Sequence, residues 1–345
     1  MDDLLAVRDL EVSYGTERGP ARVLDRISLA IAPGEVVGLV GESGCGKTTL
    51  ARAVLGILPP GAARVHGGEI LFKGRDLLRE HPRTVNDQIR GREITFIPQD
   101  PFTSFNPVFT VGTQLMDLMR WKSPRRPPES TGWRAWRDGY PRARRQADRA
   151  AVRELLQSVQ IPEPARALGR LPHEFSGGQR QRLMIAMALL PRPDLIIADE
   201  PTTALDVTIQ AQILRLLRQL VKERSVSVLF TTHDLGTAHE ICDRVVVMYA
   251  GQEMEAAPRR AFFTRPAHPY TRRLLQSLPS ADGELRDIPG EVPSLVEPAS
   301  GCRFHPRCDY TTEACSVALP EATLVGIGHE VRCHHPLVTP VDAFQ

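Results

Sequence analysis

The stretch Gly41-Glu42-Ser43-Gly44-Cys45-Gly46-Lys47-Thr48 follows the pattern G-x-x-x-x-G-K-[ST]. An apolar run at 35–40 precedes it and predicts a buried strand, and the apolar-periodic segment from Lys47 to Leu58 predicts a helix. Glycines in such a turn let successive backbone N–H groups surround phosphate oxygens, and the helix start adds partial positive charge. In this pattern the lysine reaches the β- and γ-phosphates and the next hydroxyl coordinates Mg²⁺. The stretch therefore predicts a site for a nucleoside triphosphate between a strand and a helix.

Length and composition are those of an ordinary globular protein. The chain has 345 residues, of which 42% are hydrophobic and 24% charged, and this excludes a disordered or collagen-like chain. The formal net charge of +2 argues against a surface built to hold nucleic acid. The first ten residues do not form a signal peptide, and the longest apolar run, near 183–190, is too short to span a bilayer. We therefore expect a cytosolic protein that needs a partner for any membrane role.

Short apolar runs alternate with amphipathic segments along the chain. Strands are predicted at 69–72, 94–97, 195–198, 226–231 and 244–249, and helices at 148–159, 180–190 and 209–220. This alternation predicts an α/β fold with a parallel sheet covered by helices on both faces. After about residue 265 proline is dense and regular structure is hard to recognise, so we place a domain boundary there.

Two adjacent acids follow the predicted strand at 195–198. In a protein with the phosphate-loop pattern, Asp199 would hold Mg²⁺ through water, and Glu200 would act as general base toward the attacking water. Without that loop, the same pair would be equally typical of the first turn of a helix.

The segment Phe175-Ser176-Gly177-Gly178-Gln179 resembles the signature motif of ATP-binding cassette (ABC) proteins, with Phe175 in place of the usual leucine. Other elements of that family follow the family order. Tyr14 occupies the position that stacks on adenine, Gln99 that of the Q-loop glutamine, residues 202–206 resemble the D-loop, and His233 corresponds to the switch histidine. The resemblance implies a P-loop NTPase fold of the ABC nucleotide-binding type, with a RecA-like core, an antiparallel β subdomain and a helical subdomain.

The resemblance also implies a shared mechanism, in which two such domains close head to tail around two ATP molecules. The catalytic residues would be Glu200, His233 and Gln99, and the Mg²⁺ ligands Thr48, Gln99 and Asp199. The nucleotide would contact Tyr14, Gly41, Ser43, Gly44, Gly46, Lys47, Thr48, Thr49, Ser176, Gly177, Gly178, Gln179 and Asp206. In this arrangement the signature motif contacts the γ-phosphate bound by the opposite subunit.

Two further regions resemble the ATPases of oligopeptide and dipeptide importers, the peptide/nickel transporter subfamily. The first comprises 98–107, 171–174 and 184–189, and the second is the C-terminal region with His268-Pro269-Tyr270-Thr271 and segments 288–295 and 301–308. The implied domains are a nucleotide-binding domain at 1–265, whose helical subdomain lies at about 100–190, and a small irregular, cysteine-rich extension at 266–345.

The subfamily resemblance implies a function and a set of partners. ATP hydrolysis would power import of dipeptides or oligopeptides, with this chain as one of two ATPase subunits at the cytoplasmic face of the membrane. The partners would be a related second ATPase, two transmembrane permease subunits and an extracytoplasmic substrate-binding protein, without nucleic acid. The alternatives are import of nickel or oligosaccharides and, in another class, a soluble ABC ATPase outside transport. The sequence does not fix the cargo.

Four cysteines lie near the C-terminus, at 302, 308, 315 and 333. In a cytosolic chain such a cluster indicates metal binding before disulfides, although the spacing alone does not select a metal. The matching cysteines of the subfamily are associated with an iron–sulfur cluster. The resemblance therefore implies a [4Fe–4S] cluster on Cys302, Cys308, Cys315 and Cys333 that staples the extension, with Zn²⁺ or unliganded thiols as the alternatives.

Residues 120–147 depart from the subfamily pattern. Between Arg120 and Arg153 there are eleven Arg or Lys residues against three acids, and all three tryptophans (Trp121, Trp133 and Trp136) lie there. Three interpretations remain open: a solvated loop, contact with anionic lipid headgroups, or docking to a protein partner.

Overall fold

The computed structural model describes residues 3–101, 103–126, 139–202, 206–278 and 288–338. Its strands are β1 (Leu5–Thr16), β2 (Gly19–Ile31), β3 (Val36–Val40), β4 (Ala63–Phe72), β5 (Arg75–Asp76), β6 (Ile94–Ile97), β7 (Leu195–Asp199), β8 (Ser227–Thr232), β9 (Arg244–Tyr249), β10 (Gln252–Pro258), β11 (Thr323–Gly326) and β12 (His329–Val331). Every strand predicted from the sequence is confirmed.

The four helices predicted from the sequence are also present, together with others that it does not predict. They are α1 (Lys47–Leu55), α2 (Pro82–Thr84), α3 (Val111–Lys122), α4 (Arg142–Ser158), α5 (Pro164–Ala167), α6 (Gly177–Leu189), α7 (Val207–Arg224), α8 (Leu235–Ile241), α9 (Arg259–Thr264), α10 (Pro269–Gln276) and α11 (Glu313–Val317). A π-helical turn covers Val85–Ile89, and 3₁₀ turns cover Pro172–Glu174 and His305–Arg307. Helix α1 ends earlier than its apolar pattern suggests, because Gly56 adopts a left-handed conformation at its C-terminus.

The chain forms two compact units, one made of Met1–Arg79 with Leu229–Gln345 and the other of Glu80–Val228. The first unit contains an antiparallel sheet in the order β2-β1-β4-β5. Strand β1 is paired on both sides, with Leu5 opposite Ile31 on β2 and Phe72 on β4. These three side chains are fully or almost fully buried, so this sheet has its own apolar face.

A second sheet of the first unit has the order β11-β12-β10-β9-β3, with β8 next to β3. Strands β3 and β9 are parallel, with Val37 opposite Arg244, whereas the pairs β9–β10, β10–β12 and β11–β12 are antiparallel. All five residues of β3 are buried, and so are five of the six residues of β9. Such continuous burial is typical of parallel strands covered on both faces and explains their unbroken apolar sequences.

The segment after residue 265 is less irregular than the sequence indicates. It contains α10 and α11, and β12 pairs with β10, with Val331 opposite Glu255. The Glu255 carboxylate is buried and accepts hydrogen bonds from the backbone N–H groups of Ala267 and His268 at 2.9 and 2.8 Å. It also lies 2.7 Å from Nε2 of His329. The two added strands have only four and three residues, too short for a recognisable period-two pattern.

The second unit contains the parallel pair β6 and β7 and the long helices α3, α4, α6 and α7. Asp148 of α4 is fully buried and accepts hydrogen bonds from Ser123 Oγ at 2.8 Å and from the Tyr140 hydroxyl at 3.0 Å. These bonds join the two described ends of the Arg/Trp-rich segment. Trp133 and Trp136 lie outside the described residues.

None of the helices within the described parts of the chain combines the length and apolar character needed to cross a membrane.

Candidate functional site

The phosphate loop predicted from the sequence lies in the first unit, between β3 and α1. Gly41, Gly44 and Gly46 have positive φ angles of 154°, 81° and 110°, so the backbone turns sharply before the helix. Gly46 is the N-cap of α1 and no side chain caps the helix there. Thr48 and Thr49 occupy the first turn of α1. A glycine-rich turn leading into a helix N-terminus is a geometry that binds phosphate.

Two of the glycines are also required by close packing. A Cβ atom on Gly41 would lie 2.1 Å from the carbonyl oxygen of Met248 on β9, and one on Gly46 would lie 2.7 Å from that of Val23 on β2. Gly44 has no atom within 4 Å of its Cβ position, and both it and Ser43 are exposed. The loop is therefore held against the sheets at both ends while its tip faces outward.

The Lys47 side chain is bound by its own loop. It is 6% exposed, and its ammonium group donates to the carbonyl oxygens of Gly41 at 2.7 Å and Glu42 at 3.1 Å. The neighbouring Cys45 is buried, and burial raises the pKa of its thiol. The thiol therefore stays protonated, as expected of a small packing residue.

Two more predicted site residues belong to the first unit. His233 is exposed directly after β8, the strand next to β3 in the sheet. The turn at His233 is fixed by Asp234, whose backbone N–H donates to Thr232 Oγ1 at 2.9 Å and whose carboxylate caps α8. Tyr14 lies on β1, opposite Ala21 of β2, and is partly exposed.

The predicted carboxylate site lies in the second unit and includes the predicted glutamine. Strands β6 and β7 run parallel with Ile97 opposite Ala198. Two residues further along each strand, this register brings Gln99 opposite Glu200, and the Gln99 amide donates to Glu200 Oε2 at 3.0 Å. Asp199 ends β7 and is 6% exposed. Oxygen atoms of this kind are the ligands that Mg²⁺ prefers, so the donor set fits the predicted ion.

Glu200 has an unusual backbone conformation. Its φ angle is +46°, in the left-handed region, which costs a non-glycine residue about 1–2 kcal/mol. Residues with such strain often occur where a side chain must be held in one direction. The conformation ends β7 and fixes the position from which the carboxylate meets Gln99.

The signature segment begins helix α6 of the second unit. Ser176 is the N-cap, and a reciprocal capping box joins its hydroxyl to the Gln179 N–H at 3.3 Å and the Gln179 amide oxygen to the Ser176 N–H at 3.1 Å. A Cβ atom on Gly178 would lie 2.8 Å from Ile209 Cγ2 of α7, so glycine is needed for these helices to pack. Phe175, the departure from the family pattern, is 3% exposed and serves as a packing residue.

Asp206 is the N-cap of α7, where its carboxylate accepts from the Ile209 N–H at 3.0 Å. Residues 203–205, the middle of the predicted D-loop, lie outside the described residues. The described contact of Asp206 is therefore the hydrogen bond that caps the first turn of α7.

The four C-terminal cysteines lie in one another's electrostatic field. Burial, with the charges of the neighbouring cysteines, raises the pKa of Cys302 to about 11 and that of Cys333 to about 12. None of the four forms a disulfide. In the described parts of the chain, however, no three His, Cys, Asp or Glu side chains form a group that could hold a metal ion. The predicted metal centre, whether a [4Fe–4S] cluster or Zn²⁺, is therefore not confirmed.

One contact to the phosphate loop escaped the sequence reasoning. Arg307 of the C-terminal segment donates to the carboxylate of Glu42, with NH1 3.0 Å from Oε2. The two residues are separated by 265 positions, and no local pattern marks either of them.

Known proteins resemble this chain over nearly all of its length. The family described as ABC transporter matches residues 24–203, and the C-terminal region of the oligopeptide/dipeptide transporter family matches residues 254–315. A probable peptide ABC transporter ATP-binding protein of Sinorhizobium fredii is 44% identical over 96% of this chain and 95% of its own. The dipeptide transport ATP-binding protein of Escherichia coli K12 is 43% identical over 97% of both chains.

Solved structures show the same fold. A dimeric ATP-binding cassette in a post-hydrolysis state, bound to ADP and Pi, has a TM-score of 0.60 at 25% identity. The match covers 74% of this chain and 99% of that one. A subunit of an ABC transporter complex from Clostridium perfringens has a TM-score of 0.59 at 25% identity and is matched over 92% of its length.

Proposed function

Since this chain belongs to the ABC transporter family of ATPases, we propose that it hydrolyses ATP to power the import of dipeptides or oligopeptides. The observation that carries the proposal is the match of residues 254–315 to the oligopeptide/dipeptide transporter C-terminal region. Relatives named for dipeptide transport and above 40% identical over nearly the whole chain support the same cargo.

In the proposed mechanism the loop at 41–48 holds the phosphates of ATP. Its backbone N–H groups and the start of α1 supply partial positive charge, and Lys47 reaches the β- and γ-phosphates. Tyr14 stacks on adenine, as the family resemblance implies. The support from this chain is the left-handed turn at Gly44 and Gly46 and the placement of Lys47 at the first position of the helix.

The hydrolytic step is assigned to the residues that follow β6, β7 and β8. A water oxygen attacks the γ-phosphorus, the bond to the β,γ-bridging oxygen breaks, ADP leaves, and the Glu200 carboxylate accepts the proton of the water. Gln99 orients Glu200 through the hydrogen bond at 3.0 Å. His233 contacts the γ-phosphate. Mg²⁺ would be held by Thr48, Asp199 and Gln99 and would neutralise phosphate charge when bound.

The partners follow from the same assignment. A second, related ATPase would supply Ser176, Gly177, Gly178 and Gln179 in trans, so that each ATP lies between two chains. The pair would bind two transmembrane permease subunits at the cytoplasmic face of the membrane, and a binding protein would deliver the peptide from outside.

The cargo is tested by the ATPase activity of the assembled transporter. The complex is reconstituted in lipid, and hydrolysis is measured with binding protein loaded with a dipeptide, an oligopeptide, nickel or an oligosaccharide. We expect peptides to stimulate hydrolysis. Stimulation by nickel or oligosaccharide without any by peptides would contradict the proposed cargo.

For the four C-terminal cysteines we propose a [4Fe–4S] cluster that links the segments carrying Cys302, Cys308, Cys315 and Cys333. Four thiolates are the ligand set of such a cluster. Bound iron would favour the thiolate form and so offset the raised pKa of Cys302 and Cys333. Protein purified without oxygen should be brown and contain about four irons per chain. Colourless protein free of iron after anaerobic purification would reject the cluster.

A further inference from the structure

Arg307 lies in the C-terminal segment and uses all of its hydrogen-bond donors. Its Nε donates to the carbonyl oxygen of Pro289 at 2.9 Å, and NH2 donates to that of Ile288 at 2.8 Å. NH1 donates to the hydroxyl of Tyr249 at 3.1 Å. The remaining two N–H groups form a fork on the Glu42 carboxylate, at 3.0 and 3.4 Å. With its side chain 5% exposed, Arg307 is a buried cation whose charge partner is a residue of the phosphate loop.

Glu42 connects that fork to the lysine of the loop. Its backbone N–H donates to the hydroxyl of Tyr270 at 3.1 Å, and its carbonyl oxygen accepts from the Lys47 ammonium at 3.1 Å. The side chain, the N–H and the carbonyl of this one residue are therefore each bound by a different group. A shift of the Glu42 peptide would move the groups that surround Lys47.

The two tyrosines are themselves fixed. Tyr249, Tyr270 and Phe304 are each fully buried, and their rings meet with centroids 4.6 to 5.2 Å apart. Burial raises the pKa of both tyrosines, so their hydroxyls remain protonated. Two of these rings, Tyr270 and Phe304, belong to the C-terminal segment, so that segment supplies a rigid support beneath the loop.

We infer that Arg307 is a positioning residue for ATP binding: through Glu42 it holds the phosphate loop in the conformation that receives the nucleotide. This assigns the C-terminal segment a direct part in the ATP site, in addition to its place in the fold. The inference rests on the proposed assignment of residues 41–48 to phosphate binding. Arg307 does not touch the nucleotide in this assignment and acts through the Glu42 side chain and peptide.

The same strand carries a matched control at its other end. Glu35 precedes β3 as Glu42 follows it, and Arg244 forms a similar fork on its carboxylate, at 2.8 and 3.4 Å. The side chains of this pair are 22% and 19% exposed, and neither belongs to the phosphate loop. Loss of the Arg244–Glu35 ion pair therefore measures the general cost of losing an arginine–carboxylate pair at one end of β3.

The test measures the dissociation constant of a fluorescent ATP analogue for the full-length chain. We expect Arg307→Gln and Glu42→Gln each to weaken binding about tenfold, the size of one lost charge-assisted hydrogen bond. Their combination should weaken it no further, because both remove the same contact. The dissociation constant of Arg307→Lys should lie between those of the wild type and Arg307→Gln, since an ammonium group keeps the charge but cannot form both hydrogen bonds to the carboxylate. Arg244→Gln should leave the dissociation constant within about twofold.

A further variant distinguishes failure of the Arg307 role from failure of the phosphate-loop assignment at residues 41–48. Lys47→Ala must weaken analogue binding; if it does not, the phosphate loop is wrongly assigned and the inference falls with it. If Lys47→Ala weakens binding but Glu42→Gln and Arg307→Lys do not, Arg307 has no positioning role. Equal weakening by Arg244→Gln would show only general destabilisation and would also overturn the inference. Glu42→Gln and Arg307→Lys serve as the decisive variants if Arg307→Gln does not fold.

Discussion

Glycine at positions 44 and 46 serves the phosphate loop for different physical reasons. Both have positive φ angles, but only Gly46 is also in close contact, since its Cβ position lies 2.7 Å from the Val23 carbonyl oxygen. Gly44 faces open space. The pattern in the sequence predicts both glycines but not this difference, because the contact comes from Val23 on β2, a strand outside the motif.

Replacing Gly44 and Gly46 with alanine should therefore weaken ATP binding to different extents. Gly44→Ala should cost about 1–2 kcal/mol in the conformation that binds ATP, the strain of a left-handed alanine. Gly46→Ala adds a backbone clash and should weaken ATP binding by at least about 100-fold. Titration calorimetry with ATP measures both. Equal affinities in the two variants would show that the contact with Val23 does not matter.

The sequence predicts the short, continuously apolar strands such as β3 and β7, but not the longer strands β1 and β2, where bulges interrupt the alternation of buried and exposed residues. The hydrogen bond between Gln99 and Glu200 follows from the parallel register of β6 and β7, once the two strands are known to be neighbours. The start of α4 was misplaced by six residues, at 148 instead of Arg142, because its first turns are rich in Arg and carry no apolar stripe. Strands β11 and β12 were missed because they are short.

Asp148 links two helices of the second unit, because its carboxylate on α4 binds residues that follow α3. Its carboxylate is fully buried and lies 3.4 Å from Arg125 NH1 and 3.9 Å from Arg144 Nε. Asp148→Ala leaves the hydroxyls of Ser123 and Tyr140 without their acceptor, at about 1–3 kcal/mol each, and should lower the free energy of unfolding by about 2–4 kcal/mol. Asp117→Ala on the exposed side of α3 should change it by less than about 0.5 kcal/mol. Urea denaturation compares the two, and similar midpoints would contradict the assigned role of Asp148.

Glu253 on β10 predicts a pH dependence of stability. Burial, with a smaller effect of the neighbouring Glu330, raises the pKa of its carboxyl to about 7. The charges of Arg332 and Arg244 act in the opposite direction. The folded state thus favours the neutral form, and the contribution of Glu253 to stability should fall as pH rises from about 4.5 to about 7, against the opposite contribution of buried His268, whose pKa burial lowers to about 4. Glu253→Gln should remove this fall and be more stable than the wild type above about pH 7, by up to about 3 kcal/mol.

The measurement is urea denaturation at about pH 5 and about pH 8. Glu330→Gln, at an exposed neighbouring position, should keep most of the Glu253 contribution and reduce it only slightly, because Glu330 is a minor cause of the raised pKa. A difference in stability between the wild type and Glu253→Gln that is the same at both pH values would show that Glu253 is charged in the folded protein throughout.

At the scale of the whole molecule, the sequence predicts function better than it predicts contacts. The motifs at 41–48, 175–179 and 199–200 point to an ABC ATPase, and the family match confirms that. The compact unit that contains the phosphate loop also contains the C-terminal segment, although more than 200 positions separate them in the chain. Contacts such as Glu42 with Arg307 depend on that arrangement and cannot be inferred from local patterns.

The central claim is that ATP hydrolysis at this chain drives peptide import, and Glu200→Gln tests it most directly. The measurement is the ATP-dependent accumulation of a labelled dipeptide by proteoliposomes that contain the complete transporter, with ATP binding followed in parallel. Removing the general base should leave ATP binding intact and slow hydrolysis and uptake by at least about 100-fold. Uptake by the Glu200→Gln transporter at the wild-type rate would contradict the account.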